Sequence, residues 1–410
     1  MIVYHFNNRE FNYLKKINMS ENIQNENNIE PAGNSSQSQE NNSKDNNLNL
    51  NQNKENNDSN PQLIESIKQF FGGPYIDENN VMHDISYTTW VEKDVNIKKL
   101  CTPFEVVIPS ENNENQNNPF GDLTKHDYRC ELKLIKWITE DETHKNNFIK
   151  VGNKGTKINR HNDILPYKYN AVPLDLNISE KNIDNYINAS YINDPIRKEN
   201  KLFIATQGPL KETISSFWKM IYNHKTKLVI MLSSSLEEID GRSAIYWPKE
   251  KDTPLNFEEN NLCIKLISQD EIIQNALFIK KFSINDELEV KQIHIICWPD
   301  HGMPRDQNLA IEIVDTMINY IKIEREGENR GPIVVHCSAG VGRTGTVISI
   351  YVIVLCLEYL RKLNKPFEMN VFNVVRKLRE QRYSLVTDTE QYKFIYDYCL
   401  DWIQKNYKHK

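Results

Sequence analysis

The sequence predicts an α/β fold: a single domain with a highly twisted mixed β-sheet flanked by helices. Three observations carry that expectation. β-rich segments crowd the stretch between about residues 200 and 300, strong helical periodicity fills the last hundred residues, and between them a short apolar strand runs through a Gly-containing loop into a helix. Strands first and helices after is not the regular alternation of an all-parallel sheet, so a mixed sheet is expected.

Taken in order, the chain begins with a stretch that cannot build a core. Residues 21–60 hold 15 Asn, no aromatic residue and only five apolar ones, too few to offset the entropy of ordering a chain. Residues 1–60 are therefore expected to be an Asn-rich disordered leader. A helical spacing over 62–71 stops at Gly72-Gly73-Pro74, short strands are expected at 88–91 and 104–108, and 111–118 is again Asn-rich. Residues 61–120 thus read as a partly ordered N-terminal extension. From 121 to 408 the pattern is dense. A helix is expected over 127–138, strands over 203–206, 227–232, 263–268, 276–284, 289–298 and 333–336, and helices over 308–324, 345–363, 367–381 and 389–404.

Charge and cysteine usage narrow the function classes. The net charge of −6 divides into −3 for residues 1–60 and −3 for the rest, without the clustered Lys and Arg that nucleic acid or anionic lipid would need. Seven scattered Cys, with no CxxC pair, read as reduced thiols in a cytoplasmic setting, and no metal or cofactor is implied. The start of the chain lacks a secretory pattern, and the longest apolar run, 347–357, is too short to span a bilayer, which takes about 20 residues. A soluble monomer is expected.

The chemistry sits at 332–346. Strand, loop and helix there turn successive backbone N–H groups of Ser338, Ala339, Gly340, Val341 and Gly342 toward one point above a helix N-terminus, a cradle for a tetrahedral dianion. Arg343, six residues after Cys337, returns its planar fork to that cradle. Cys337 lies at the bottom, in a field that favours thiolate over thiol. His336 is placed to brace the loop from behind, and the Thr344 hydroxyl to donate to the sulfur. Seven specified residues hold fixed offsets here; at about 5% usage per type, chance gives this in fewer than about one in a million such chains.

This segment resembles the signature loop of the protein tyrosine phosphatase family, His-Cys-(five residues)-Arg-Ser/Thr, and the resemblance extends over roughly 121–405. It implies an enzyme that removes phosphate from phosphotyrosine-containing proteins through a cysteinyl-phosphate. Trp298-Pro299-Asp300-His301-Gly302 resembles the family's acid-bearing loop, with Asp300, 37 residues before Cys337, as general acid and Trp298 as support. The block 159–167 resembles the phosphotyrosine-recognition loop, giving substrate-binding roles to His161 and Asp163. Glu237 and Arg242, ahead of Tyr246-Trp247-Pro248, resemble the loop whose carboxylate holds the catalytic Arg. The segment 378–382 and Gln391 fall where the family places its water loop.

Two departures from the pattern matter more than the matches. Most phosphotyrosine-specific members carry Tyr where this chain has His161, so weaker clamping of the substrate ring is expected, worth about 0.5 to 1.5 kcal/mol. Where the family usually writes Val-Gln-Thr-x-x-Gln, this chain reads Val386-Thr387-Asp388-Thr389-Glu390-Gln391. Thr387 reaches less far than the Gln it replaces, so slow hydrolysis of the cysteinyl-phosphate is expected, with Gln391 as substitute. The competing reading is a catalytically weak phosphotyrosine-binding module of the same fold. A phosphoinositide phosphatase is disfavoured because Ser338, Ala339 and Val341 bring no Lys to the loop.

Overall fold

The computed structural model describes residues 127–140, 142–152, 157–176, 185–194, 200–234, 237, 243–326, 330–362, 367–369 and 371–407, with three short strands at 75–76, 82–83 and 104–106. The leader of 1–60, the helix expected at 62–71, the strand expected at 88–91, most of the 61–120 extension and Arg242 lie outside the described residues.

Strands β1 (Tyr75–Ile76) and β2 (Met82–His83) pair antiparallel, and β3 (Phe104–Val106) follows. Helix α1 (Tyr128–Thr139) starts where Asp127 caps it by accepting from the Cys130 amide at 2.9 Å. Then come α2 (Glu142–Asn146), β4 (Ala171–Pro173), β5 (Tyr186–Ile192), β6 (Phe203–Thr206), α3 (Ile214–Asn223), β7 (Leu228–Met231), β8 (Leu255–Phe257), β9 (Leu262–Ile273), β10 (Leu277–Ile284) and β11 (Leu288–Ile295). The chain closes with α4 (Gln307–Glu326), β12 (Ile333–His336), α5 (Gly342–Lys362), β13 (Phe367–Met369), α6 (Val371–Arg379) and α7 (Thr389–Tyr407).

Nine strands form one mixed sheet in the order β4-β5-β6-β12-β7-β11-β10-β9-β8. Its centre, β6-β12-β7-β11, is parallel, and the strands on both sides run antiparallel. Burial explains the difference in sequence texture. The central strands read Phe-Ile-Ala-Thr, Ile-Val-Val-His and Leu-Val-Ile-Met, every residue buried, because helices cover both faces. Along β12 and β7 alternate residues go to opposite cores: Ile333, Val335, Leu228 and Ile230 pack with α4 to α7, while Val334, Val229 and Met231 pack with Phe217, Trp218, Met220 and Ile221 of α3. By contrast β9 alternates at its start and is exposed further on, as an outer strand with one free face should be.

The fold expected from sequence is the one observed, with local differences. The helix expected over 367–381 is shorter, because Phe367, Glu368 and Met369 are β13, paired antiparallel with Val106, Glu105 and Phe104; a distant strand partner overrides the local helical spacing. The strand expected to reach Trp298 ends at Ile295, where the chain turns into the acid-bearing segment. Helix α5 begins at Gly342, three residues earlier than its apolar spacing implies. The register matters most at β12, where His336 lies between Thr206 of β6 and Met231 of β7. The next residue, Cys337, therefore emerges at the carboxyl end of the sheet's parallel centre, where open α/β sheets bind ligands.

Candidate active site

The loop from Cys337 to Val341 is held by its carbonyl groups. Ser338 O accepts from Gly208 N at 2.9 Å, and Val341 O accepts from Gly345 N at 2.9 Å and Val386 N at 3.1 Å. The carbonyls of Ala339 and Gly340 both accept from Arg382, at 3.2 and 2.8 Å. With the carbonyls drawn outward, the amide sides are left to face the cradle, above the N-terminus of α5. Gly340 has φ +72, and a Cβ there would run into the backbone of Thr206, so no other residue fits the turn.

Arg382 is fully buried and spans the site, its guanidinium also reaching Asn188 Oδ1 at 2.9 Å and Ser190 Oγ at 3.2 Å on β5. Burial pushes its pKa down to about 10, still far above neutral, so it remains a cation beneath the loop. Its signal in the sequence is its place at the end of an apolar helical face, in the 378–382 segment, which gives it no role of its own.

Cys337 is 3% exposed, and Thr344 Oγ donates to its sulfur at 3.4 Å. Behind it, His336 Nδ1 lies 3.2 Å from the Cys337 carbonyl and Nε2 lies 2.8 Å from the Tyr246 hydroxyl. Burial pushes the His336 pKa down to about 3, so the ring is neutral. One proton arrangement satisfies all the partners: Nδ1–H donates to Cys337 O, Tyr246 O–H donates to Nε2, and Gln292 Nε2 donates to Tyr246 Oη at 2.6 Å. Tyr246 and Gln292 join the site as its rear support.

Arg343, the expected anion clamp, is itself clamped. Nη1 and Nη2 meet Glu237 Oε2 and Oε1 at 2.7 and 2.6 Å, a bidentate pair. Burial alone would raise the Glu237 pKa, but the hydrogen bonds and charge of Arg343, together with the Ser234 donors, outweigh it and hold the carboxyl below its ordinary value. Ser234 N and Oγ add two donors to the same oxygen, at 2.7 and 3.1 Å. For Arg343 the signs reverse: burial alone would lower it, and Glu237 holds it above its ordinary value. Its Nε is buried with no partner among the described residues, a donor left for a ligand oxygen.

The acid-bearing segment is closed over the cradle. Arg343 Nη1 donates to Trp298 O at 3.1 Å, and Nη2 to Asp300 Oδ1 at 2.8 Å. The Trp298 ring is fully buried and donates to Gly302 O at 3.1 Å, while the Asp300 side chain is 36% exposed. Burial on one side and solvent on the other suit a group that must both pick up and hand over a proton.

The two rim loops dock on the cradle from either side. The recognition loop is anchored by Asn159, whose Oδ1 accepts from Tyr186 Oη and Asn188 Nδ2. Arg160 adds a second anchor, donating to Gln207, Gly208 and Pro209. His161 and Asp163 themselves stand exposed on that loop. On the other side Val386, a β-branched residue at φ +62, places Thr387 and Gln391 against Gly342. The buried Arg379 holds this strained backbone through the carbonyls of Leu385 and Val386, at 2.8 and 3.0 Å. Thr387 Oγ donates to Gln391 Oε1 at 3.2 Å, and Gln391 Nε2 is buried without a partner among the described residues.

The structure thus brings Cys337, Arg343, Asp300, Thr344, His336, Glu237, Trp298, Thr387, Gln391 and the 338–342 loop to one place. Among the described residues no helix is long and apolar enough to cross a membrane. A family model described as Protein-tyrosine phosphatase matches residues 156–401. The chain is 36% identical over 248 residues to tyrosine-protein phosphatase non-receptor type 20 of Rattus norvegicus, covering 60% of this chain and 54% of that protein. It is 32% identical over 274 residues to tyrosine-protein phosphatase non-receptor type 12 of Homo sapiens, covering 65% and 33%. The chain therefore spans about half the length of the first of these curated relatives and a third of the second. A solved structure of PTPN18, described as the structural basis of its fingerprint on distinct HER2 tyrosine phosphorylation sites, superposes with a TM-score of 0.57 at 26% identity, covering 68% of this chain and 95% of that one.

Proposed function

Because the chain belongs to the protein-tyrosine phosphatase family, we propose that it hydrolyses phosphotyrosine in proteins through a cysteinyl-phosphate intermediate. The observation that carries this is the pairing of a buried sulfur with a guanidinium fixed in a bidentate clamp, under a loop whose carbonyls are all drawn away. In the first step the Cys337 thiolate attacks phosphorus in line and the bond to the tyrosyl oxygen breaks. Asp300 gives that oxygen its proton, while the loop amides and the free Nε of Arg343 take the charge on the equatorial oxygens. In the second step Asp300 takes a proton from water, water oxygen bonds phosphorus, and the sulfur leaves as a thiolate stabilised by the Thr344 hydroxyl.

Water is aimed by Gln391 Nε2, with Thr387 holding the other end of that amide. A Thr–Gln pair is a less direct device than a Gln at position 387, so the second step is the slow one. The exposed His161 clamps the substrate ring only in part, and Asp163 takes the substrate backbone. We read residues 121–408 as the catalytic domain, behind an Asn-rich leader of 1–60, acting as a cytoplasmic monomer on phosphotyrosine proteins.

The deciding experiment compares phosphate release from a phosphotyrosine peptide by the wild-type and Cys337→Ser proteins. Release by the first and a loss of about 10⁴-fold or more in the second is expected. An Asp300→Ala protein, which keeps the cradle and lacks the acid, should retain phosphotyrosine proteins from a lysate in competition with vanadate. Phosphate-independent capture, or release that survives Cys337→Ser, would overturn the reading.

A further inference from the structure

We propose that Asp388 is a latch that holds the acid-bearing segment closed over the cradle, a positioning residue for Asp300; this rests on the phosphatase reading above. Asp388 stands immediately before α7 and divides its carboxylate between two duties. Oδ1 accepts from the Gln391 amide at 2.8 Å, which caps the helix. Oδ2 accepts from the Gly302 amide at 3.1 Å, two residues after Asp300.

Gly302 is thereby gripped at both of its backbone polar groups, its N–H by Asp388 and its C=O by the Trp298 indole at 3.1 Å. Its φ of +76 lies in the left-handed region that favours glycine, so a side-chain-bearing residue there would strain the turn that presents this N–H. From outside the segment Arg343 holds Trp298 O and Asp300, and Asp388 holds Gly302. A cap alone asks for one acceptor, and Ser, Thr or Asn would serve equally well. The second acceptor, used on the acid-bearing segment, is what a carboxylate adds. The same side chain also opens the helix that carries Gln391, so it ties the group that moves the proton to the group that aims the water.

The test exploits leaving-group chemistry. Phenolate must be protonated as it departs, dinitrophenolate need not be, so a fault in placing Asp300 shows on phenyl phosphate and not on dinitrophenyl phosphate. Asp388→Asn keeps one oxygen for the cap and turns an NH2 group toward the Gly302 N–H, where it cannot accept. Expected is a roughly 10-fold fall in kcat/KM on phenyl phosphate, the worth of one charge-assisted hydrogen bond, and a change within about 2-fold on dinitrophenyl phosphate, at unchanged Tm. Asp388→Ser, which also caps with a single oxygen, should behave alike. Added to Asp300→Asn, Asp388→Asn should cost nothing further on phenyl phosphate. Equal losses on both esters, no loss on either, or a further roughly 10-fold loss without Asp300 would overturn the latch. A wild-type chain that cleaves neither ester would overturn the phosphatase reading itself and the latch with it.

Discussion

At the floor of the cradle Cys337, Arg343 and His336 are 3%, 1% and 0% exposed, and the carbonyls of the loop, the rear imidazole and two nitrogens of the guanidinium all have fixed partners. At the rim His161 and Asp163 are exposed, and Thr387 is half-buried against an amide whose nitrogen has no partner among the described residues. His161 and Thr387, which depart from the family pattern, both fall on the rim. Where buried polar groups are held by fixed partners, a change strands one of them and costs the whole interaction. Where solvent or a neighbouring side chain can substitute, a change alters affinity or the rate of one step.

The floor should therefore break abruptly. Glu237→Gln leaves Arg343 charged and buried with half its clamp, so a fall of about 3 kcal/mol in stability and roughly 100-fold in kcat/KM is expected, read by urea titration and initial rates. An unchanged kcat/KM would move Glu237 out of the floor. Acid should expose the same rigidity. His336 titrates near 6.5 when unfolded and is pushed down to about 3 by burial, so the unfolded chain takes up the proton first. Stability from this group is complete above the unfolded value and drains as pH falls toward 3. Glu237, held below its ordinary value, loses its contribution as pH falls through the lowered one. A His336→Gln protein should show a flatter dependence of its urea midpoint on pH between those limits; an equally steep one would mean the imidazole is not the titrating group.

The rim should bend. Thr387→Gln should raise kcat by about 10-fold and shrink the burst of phenol release that precedes steady turnover, as a water-directing amide speeds the second step. A burst of the same size in both proteins would show that hydrolysis is not governed at 387. Smallest is His161→Tyr, which should lower KM about 3-fold for a phosphotyrosine peptide and for phenyl phosphate alike, since both present the ring that one added aromatic contact would clamp. A change of kcat instead would place His161 among groups that touch the reacting atoms.

Much of this floor was legible in the sequence because it is local. Strand, loop and helix around Cys337 are contiguous, and β12 and β6 lie at the residues their apolar runs mark. Short motifs mark the acid segment and Glu237 in the sequence. Arg382, Tyr246 and Asp388 lie in segments that the family resemblance marks, but their roles are not legible there, because the groups they hold lie 42, 90 and 86 residues away. The pairing of β13 with β3 was hidden for the same reason: a period describes one segment, whereas a ladder needs two.

Arg382 also bears on how the protein reaches its native state. It reaches Asn188 across 194 residues and Gly340 across 42, so the anion cradle cannot close until β5, β12 and the end of α6 have met. Contacts of that span form late, after the local helices have gained their hydrogen bonds. In a refolding chain helical signal therefore returns before any affinity for vanadate, and the ability to hold an oxyanion marks the completion of the last long-range contact.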